Sequence, residues 1–286
     1  MPERSPESSL AERPGRVERL GVVSYANVAP LHYGLSPWQD EETSVEFVEG
    51  VPSELNAMLL AGEIDLTLVS SIEYIRHRER LVALPDFSIA TLGPVYSVML
   101  FHWRPWEELS GARIAVTTES ATSVELLRVL LIGNDMEAEL VPLPPDLDAM
   151  LEVCDAALLI GDSALTEGVA RRRIGGRQPL LTDLGEAWYR LTRLPFTFAV
   201  WASPRGKSPS QRLVERLRDA RRRGLAEIGR VAELEGPRRG VPQEVMQRYL
   251  SNFRYHLELP DRDGLEEFAR RSVSGLDTAE LRYWDL

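Results

Sequence analysis

Two apolar runs, GPVYSVMLFHW at residues 93–103 and LPFTFAVW at residues 194–201, decide how this chain is organised. Each is strand-like, and together they bracket residues 104–193, which carry a strand–helix–strand pattern of their own. Within that block RIAV (113–116) reads as a strand and TTESATS (117–123) as a hydroxyl-rich strand end. Val124, Leu127, Leu130 and Leu131 then line one face of a helix, and AALLI (156–160) is a further strand ending at Gly161 and Asp162. A block with its own βαβ pattern, entered and left through long strands, reads as one lobe inserted into another. The expectation is an α/β protein of two lobes, lobe II inserted into lobe I through two hinge strands. Residues 19–103 and 202–286 would form lobe I. Residues 104–201 would form lobe II with its return hinge strand, and residues 1–18 a flexible N-terminal tail.

Working outward from the first hinge, lobe I begins with RLGVV (19–23), a short strand followed by the polar turn SYANVAPL. Pro30 suits the first turn of a helix, where its missing N–H costs nothing. SVEFVEG (44–50) alternates as a second strand. Pro52 and Ser53 open a helix with Leu55, Met58 and Leu59 on one face, and Gly62 closes it. IDLTLV (64–69) is then a buried strand whose end carries Ser70 and Ser71. Strand, helix and strand in that order predict parallel pairing.

Composition narrows the function classes. The chain has 286 residues, enough for two α/β lobes, with 44% hydrophobic and 27% charged residues as in ordinary globular proteins. No stretch approaches the ~20 consecutive apolar residues of a membrane span. The first 20 residues hold no apolar h-region, so a cytoplasmic location is expected. Cys154 is the only cysteine and reads as a buried structural thiol. His32, His77, His102 and His256 lack metal-ligand spacing, so no metal and no cofactor are expected. Lys207 is the only lysine and lies in a Ser/Pro/Gly loop, which disfavours Schiff-base chemistry. A net charge of −11 disfavours nucleic acid as a partner. The arginines at 221–223 read as the solvated face of an amphipathic helix whose apolar stripe includes Leu213, Leu217, Ala220, Ile228, Val231 and Leu234.

Ligands of open α/β sheets bind beyond the carboxyl ends of the strands, so two facing lobes create one cleft. Its expected walls are Ser24 to Asn27, Ser70 and Ser71, and the region around Ser97 from lobe I. Lobe II supplies Thr118, Ser120, Ala121, Thr122 and Ser123, with Asp162 after Gly161. A helix N-terminus with hydroxyls beside it attracts an anion, although serine and threonine there also serve as plain caps. Ser71 has the same double character, and Asn27 and Asp162 are also ordinary turn residues. No arginine falls at a deduced strand end, so no carboxylate clamp is assigned. No serine occupies a GxSxG elbow. The residues by themselves point to a cleft that binds an anion, to hold it or to transform it.

Several blocks add a resemblance. RLGVVSYANVAPLHYGL, GEIDLTLVSSIEYIRH, GPVYSVML, IAVTTESATSVELLRVLL, DAALLIGDSAL and DLGEAWYRLTRLPFTFAVW are similar to successive blocks of the chorismate dehydratases of the futalosine route to menaquinone. The resemblance is strong over residues 19–201 and weaker through RYLSNFRYHLELPDRDGLEEF. The Ser-Tyr-x-Asn turn followed by Pro-Leu is its most specific part. Ala26 stands where that family more often has Leu, and Leu191-Thr192-Arg193 where Thr-Gly is common. The resemblance implies a type II periplasmic-binding-protein fold. It also implies loss of the C4 hydroxyl and C3 proton of chorismate, giving 3-[(1-carboxyvinyl)oxy]benzoate and water. Asn27 would position the reacting ring and departing hydroxyl, while Ser71, Ser97 and residues 120–123 would hold the two carboxylates. The substrate's own enolpyruvyl carboxylate is a candidate base. A non-catalytic solute-binding or sensor module for a small carboxylate is the alternative.

Overall fold

The computed structural model describes residues 16–39 and 43–285. Lobe I begins with β1 (Arg16–Val22), after which a 3-10 turn over Ala26–Val28 leads into α1 (Ala29–His32). β2 (Trp38–Gln39) and β3 (Thr43–Glu49) follow, with β3 parallel to β1 and antiparallel to β2. α2 (Pro52–Ala61) crosses over to β4 (Thr67–Ser70), which runs straight into α3 (Ser71–Arg76) and on to β5 (Leu81–Thr91). Leu20 bridges Leu66 in parallel, and this links the edges of the two three-stranded sheets of lobe I. Gly21 is required at that seam, because a Cβ there would lie 2.5 Å from Thr67 Oγ1.

The chain then enters lobe II. β6 (Val98–His102), β7 (Arg113–Thr117), α4 (Ala121–Gly133), β8 (Glu139–Leu143) and α5 (Leu147–Val153) come first. β9 (Ala156–Ile160), α6 (Gly161–Ala170), β10 (Leu180–Asp183) and α7 (Leu184–Thr192) complete it. Their five strands form one sheet in the order β10-β6-β9-β7-β8. The return strand β11 (Phe196–Pro204) lies between β4 and β5 in lobe I, antiparallel to both. Four helices finish the chain: α8 (Gln211–Ala226), α9 (Ile228–Arg238), α10 (Gln243–Ser251) and α11 (Leu259–Ser272). α8 packs on α1 so closely that a Cβ on Gly224 would lie 2.1 Å from the Pro30 carbonyl oxygen. Among the described residues no helix is long and apolar enough to cross a membrane.

The two bracketing strands are exchanged relative to the expected boundaries. β6 is hydrogen-bonded within the lobe II sheet, and β11 within the lobe I sheet. The crossings are therefore the links at residues 92–97 and 193–195, not the strands themselves. α10 braces the first link, with the Tyr249 hydroxyl donating to Ser97 Oγ at 2.9 Å and Asn252 Nδ2 to the Pro94 carbonyl at 2.5 Å. The N-terminal boundary also moves. Residues 16–18, expected in the tail, belong to β1, and Glu18 is fully buried, accepting from the Ser210 amide at 2.8 Å. Residues 1–15 lie outside the described residues.

The long C-terminal amphipathic pattern is two helices broken at Glu227, with Leu234 42% exposed despite its place in the stripe. Arg221 is not solvated either. It is buried over the Phe87 ring at 4.4 Å and donates to the Asp86 carbonyl. Cys154 is buried, which pushes its thiol pKa up, as suits a structural role.

Candidate active site

A cavity of about 450 Å³ opens between the lobes where strand ends feed helices. Its floor is apolar, formed by Val23, Leu68, Ile89, Val95, Val98, Ile160 and Phe198. Four helix N-termini reach its walls. α2 brings Pro52 and Ser53, α3 its cap Ser70, α4 residues 120–123, and α6 Gly161. First-turn amides have no partner within their own helix and carry the positive end of its dipole, so this convergence favours an anion. No arginine, lysine or histidine lines the cavity among the described residues, while Glu73 and Glu119 do.

The lobe II wall is the α4 N-terminus. Ser120 caps it, its hydroxyl accepting from the Ser123 amide at 3.1 Å and donating to Ser123 Oγ at 3.0 Å. That cap uses the Ser123 amide and leaves those of Ala121 and Thr122 as first-turn donors. Thr118 lines the cavity beside them. Thr122 has a second task, for its Oγ1 accepts from the Ile72 amide of lobe I at 3.0 Å and ties the lobes together.

On the lobe I side Asn27, Ser70 and Ser97 line the cavity. The Asn27 Oδ1 is enclosed and has no hydrogen-bond partner among the described residues. Ser97 is buried and accepts from Tyr249. Three expected site residues fall elsewhere. Ser71 is fully buried beneath the wall, its hydroxyl donating to the Thr197 carbonyl at 2.5 Å. It holds α3 to β11 because the side chains of consecutive residues at a strand–helix junction point in different directions. Ser24 and Asp162 line a neighbouring open groove instead, where Arg239 occupies both: it donates to the Ser24 carbonyl and to the Asp162 carboxylate.

Besides Tyr25, which the expected Ser24–Asn27 wall already contained, the cavity recruits residues that the sequence reading passed over. Tyr25 lines it, and burial, aided by the Glu119 and Asp162 charges, pushes its phenol up to about 12, so it stays a neutral hydroxyl. Asn56 is 8% exposed, and its Oδ1 also lacks a protein partner. Glu73 is held by Arg76 at 3.1 Å and approached by His77 at 3.5 Å. A signal for the α2 wall does exist. Pro52, Ser53, Asn56, Ala57 and Leu60 recur at helical spacing on a face beside the core-facing Leu55 and Leu59, and that face meets the cavity.

The sequence pattern of the family described as menaquinone biosynthesis matches residues 18–274. The chorismate dehydratase of Thermus thermophilus is 45% identical over 279 residues, 92% of this chain and 97% of that protein. The chorismate dehydratase of Campylobacter jejuni is 26% identical over 201 residues, 69% of this chain and 72% of that one. Among solved structures, an Archaeoglobus fulgidus protein superposes with a TM-score of 0.67 at 21% identity, covering 89% of this chain and 96% of its own. The periplasmic aliphatic sulphonate binding protein of Escherichia coli does so with 0.65 at 17% identity, covering 94% and 92%. The structural likenesses establish the two-lobed periplasmic-binding-protein fold, lobe II inserted into lobe I. With a pattern match over nearly the whole length and a relative sharing almost half its residues, the chain belongs to the menaquinone-biosynthesis family.

Proposed function

We infer that this protein is a chorismate dehydratase, a carbon–oxygen lyase acting in menaquinone biosynthesis. The observation that carries this is the 45% identity to the Thermus thermophilus enzyme across nearly the full length of both chains. The cavity supports it, since chorismate carries two carboxylates and the walls present several helix N-termini with hydroxyl and amide groups between them. The finer parts of the proposal are the futalosine route and a cytoplasmic location.

In the reaction the electron pair of the C3–H bond becomes the third double bond of the ring, and the C4–O bond breaks. The departing hydroxide and the C3 proton leave together as water. Gaining the aromatic ring drives the step, so orientation and proton transfer are the main demands on the protein. Asn27, at the cavity wall on a short turn, is proposed to orient the ring and the departing hydroxyl. The amides of Ala121 and Thr122, with Ser70, Ser97, Thr118, Ser120 and Ser123, are proposed to hold the carboxylates. The enolpyruvyl carboxylate, tethered close to C3, is the proposed base.

The test is incubation with chorismate while following the loss of its diene absorbance, with the product identified by mass and NMR. Formation of 3-[(1-carboxyvinyl)oxy]benzoate is the expected result. Binding of chorismate without loss of the diene would favour a solute-binding module, and a prephenate-type product a different dehydratase.

A further inference from the structure

The groove beside the cavity is organised around one side chain. Arg239 follows α9 and its side chain is 13% exposed. Its Nε donates to Asp162 Oδ2 at 2.5 Å and one terminal nitrogen to the Ser24 carbonyl at 2.5 Å, while the other reaches the Glu235 carboxylate. The second oxygen of Asp162 accepts from the Ala26 amide at 3.4 Å. Asp162 belongs to the first turn of α6 in lobe II, Glu235 to α9, and Ser24 and Ala26 to the turn that carries Asn27. One guanidinium and one carboxylate therefore join lobe II, the C-terminal helices and that turn.

The enclosed Oδ1 of Asn27 has no hydrogen-bond partner among the described residues to fix the side chain. Its position depends on the backbone of residues 24–28. Among the described residues, the side chains that hydrogen-bond this backbone are those of Arg239 and Asp162. A planar guanidinium suits the task, since it directs donors in fixed directions to several acceptors at once. With two carboxylates already on it, Arg239 is not available as a clamp for a substrate carboxylate.

We propose that Arg239, acting with Asp162, is a positioning residue for the dehydration: it fixes the turn that presents Asn27 to the ring against the opposite lobe. This rests on the dehydratase reading of the cavity.

Three variants, Arg239→Met, Asp162→Asn and their combination, test it with kcat, KM and calorimetric affinity for the benzoate product. Arg239→Met should lose about ten- to a hundredfold in kcat, less than removal of a direct donor. Its product affinity should change by less than about threefold, because the α4 amides do not depend on Arg239. Asp162→Asn should move kcat the same way, and the double variant should be no more than about twofold slower than the slower single one, since both remove one bridge. Arg239→Lys should recover only part of the rate, because an ammonium replaces one contact but not the fork. The proposal fails if kcat of Arg239→Met stays within about twofold of wild type, or if the two losses multiply. An equal loss in rate and product affinity would also overturn it. Should Arg239→Met not fold, the shape-conserving Asp162→Asn carries the test. Hydrogen exchange separates this from the function itself. The amides of residues 24–28 should exchange faster in both variants whatever the substrate is, and unchanged protection would overturn the proposal even if chorismate is turned over.

Discussion

His32 ends the short helix that follows the Asn27 turn, and it makes the stability of that segment depend on pH. Its Nε2 is enclosed without a partner, and its ring stands edge-on to the buried Trp201 at 5.5 Å. Burial alone pushes its pKa down to about 4, from 6.5 in an exposed histidine. A folded value below the unfolded one means the unfolded chain binds the proton first, so stability is complete above pH 6.5 and is lost as pH falls towards 4. Linkage over this interval gives about 2 kcal/mol lost at pH 5 relative to pH 8, and about 3 kcal/mol once both states are protonated. An unfolding entropy of about 2.1 cal/mol/K per residue over 286 residues converts the pH 5 figure into about 3 °C of melting temperature. The comparison is thermal unfolding of wild type and His32→Gln at both pH values. Burial also lowers the pKa values of His102 and His256, but they are common to both proteins and cancel in the difference. Whatever the absolute cost of the substitution, the wild-type advantage should shrink by about 3 °C at pH 5. An advantage constant to within about 1 °C would show that His32 titrates like a surface histidine and would refute the reasoning.

Four other outcomes are expected. Asn27→Ala should keep its fold and lose about 10²–10³ in kcat, and a loss below about threefold would place the orienting role elsewhere. Ser71→Ala should leave KM within about twofold yet lower the melting temperature by about 2–5 °C, because the Thr197 carbonyl loses a buried donor worth about 1–3 kcal/mol. A raised KM without a thermal shift would return Ser71 to the ligand. Activity should survive exhaustive EDTA treatment, since no group of three or more His, Cys, Asp or Glu among the described residues is placed to hold a metal; rescue by zinc or magnesium would count against this. If the substrate's own carboxylate takes the C3 proton, Glu73→Gln and Glu119→Gln should each stay within about tenfold of wild-type kcat, and a variant that binds product normally but is inactive identifies the base.

The alternation of Val45 and Phe47, the Pro52 start of α2 and the hydroxyl cap of α4 were legible because each depends on neighbours in the chain. The sheet to which a strand belongs was not. All five positions of β6 are buried, so the strand shows no polar face to say which sheet it joins. The break at Glu227 left no mark on the apolar stripe; the Glu227 carboxylate accepts from the Tyr33 hydroxyl at 2.9 Å, 194 residues away in sequence. Arg221 is similar: within its helix it looks like a solvated arginine, and only the Phe87 ring and the Asp86 carbonyl make it a core residue. At the site, the 117–123 hydroxyl run and Asn27 were visible as strand-end and turn chemistry. Arg239 meets Asp162 across 77 residues and Ser24 across 215, separations at which no local pattern carries information.

The same geometry bears on how a chain of net charge −11 would hold a dianion when no cation lines the cavity among the described residues. Each helix of two turns or more presents about half a positive charge at its N-terminus. α2, α4 and α6, with 10, 13 and 10 residues, therefore supply roughly one and a half charges, with the shorter α3 adding to them. Against them stand Glu73 and Glu119 on the wall and the Glu54 and Asp162 carboxylates in the first turns of α2 and α6, so the dipoles offset a dianion only in part, but fixed dipoles need no reorganisation when the ligand enters. An arginine clamp would add affinity without adding rate. The ring carboxylate is the same group in chorismate and in its product, so a contact to it is equal in ground state, transition state and product and does not lower the barrier, while a cation on the enolpyruvyl carboxylate would weaken it as the base. It would also slow product departure. Acceleration has to come from groups whose contact changes as C4–O breaks, and Asn27 is the residue proposed for that part, its Oδ1 without a partner among the described residues and its turn held from the other side by Arg239 and Asp162.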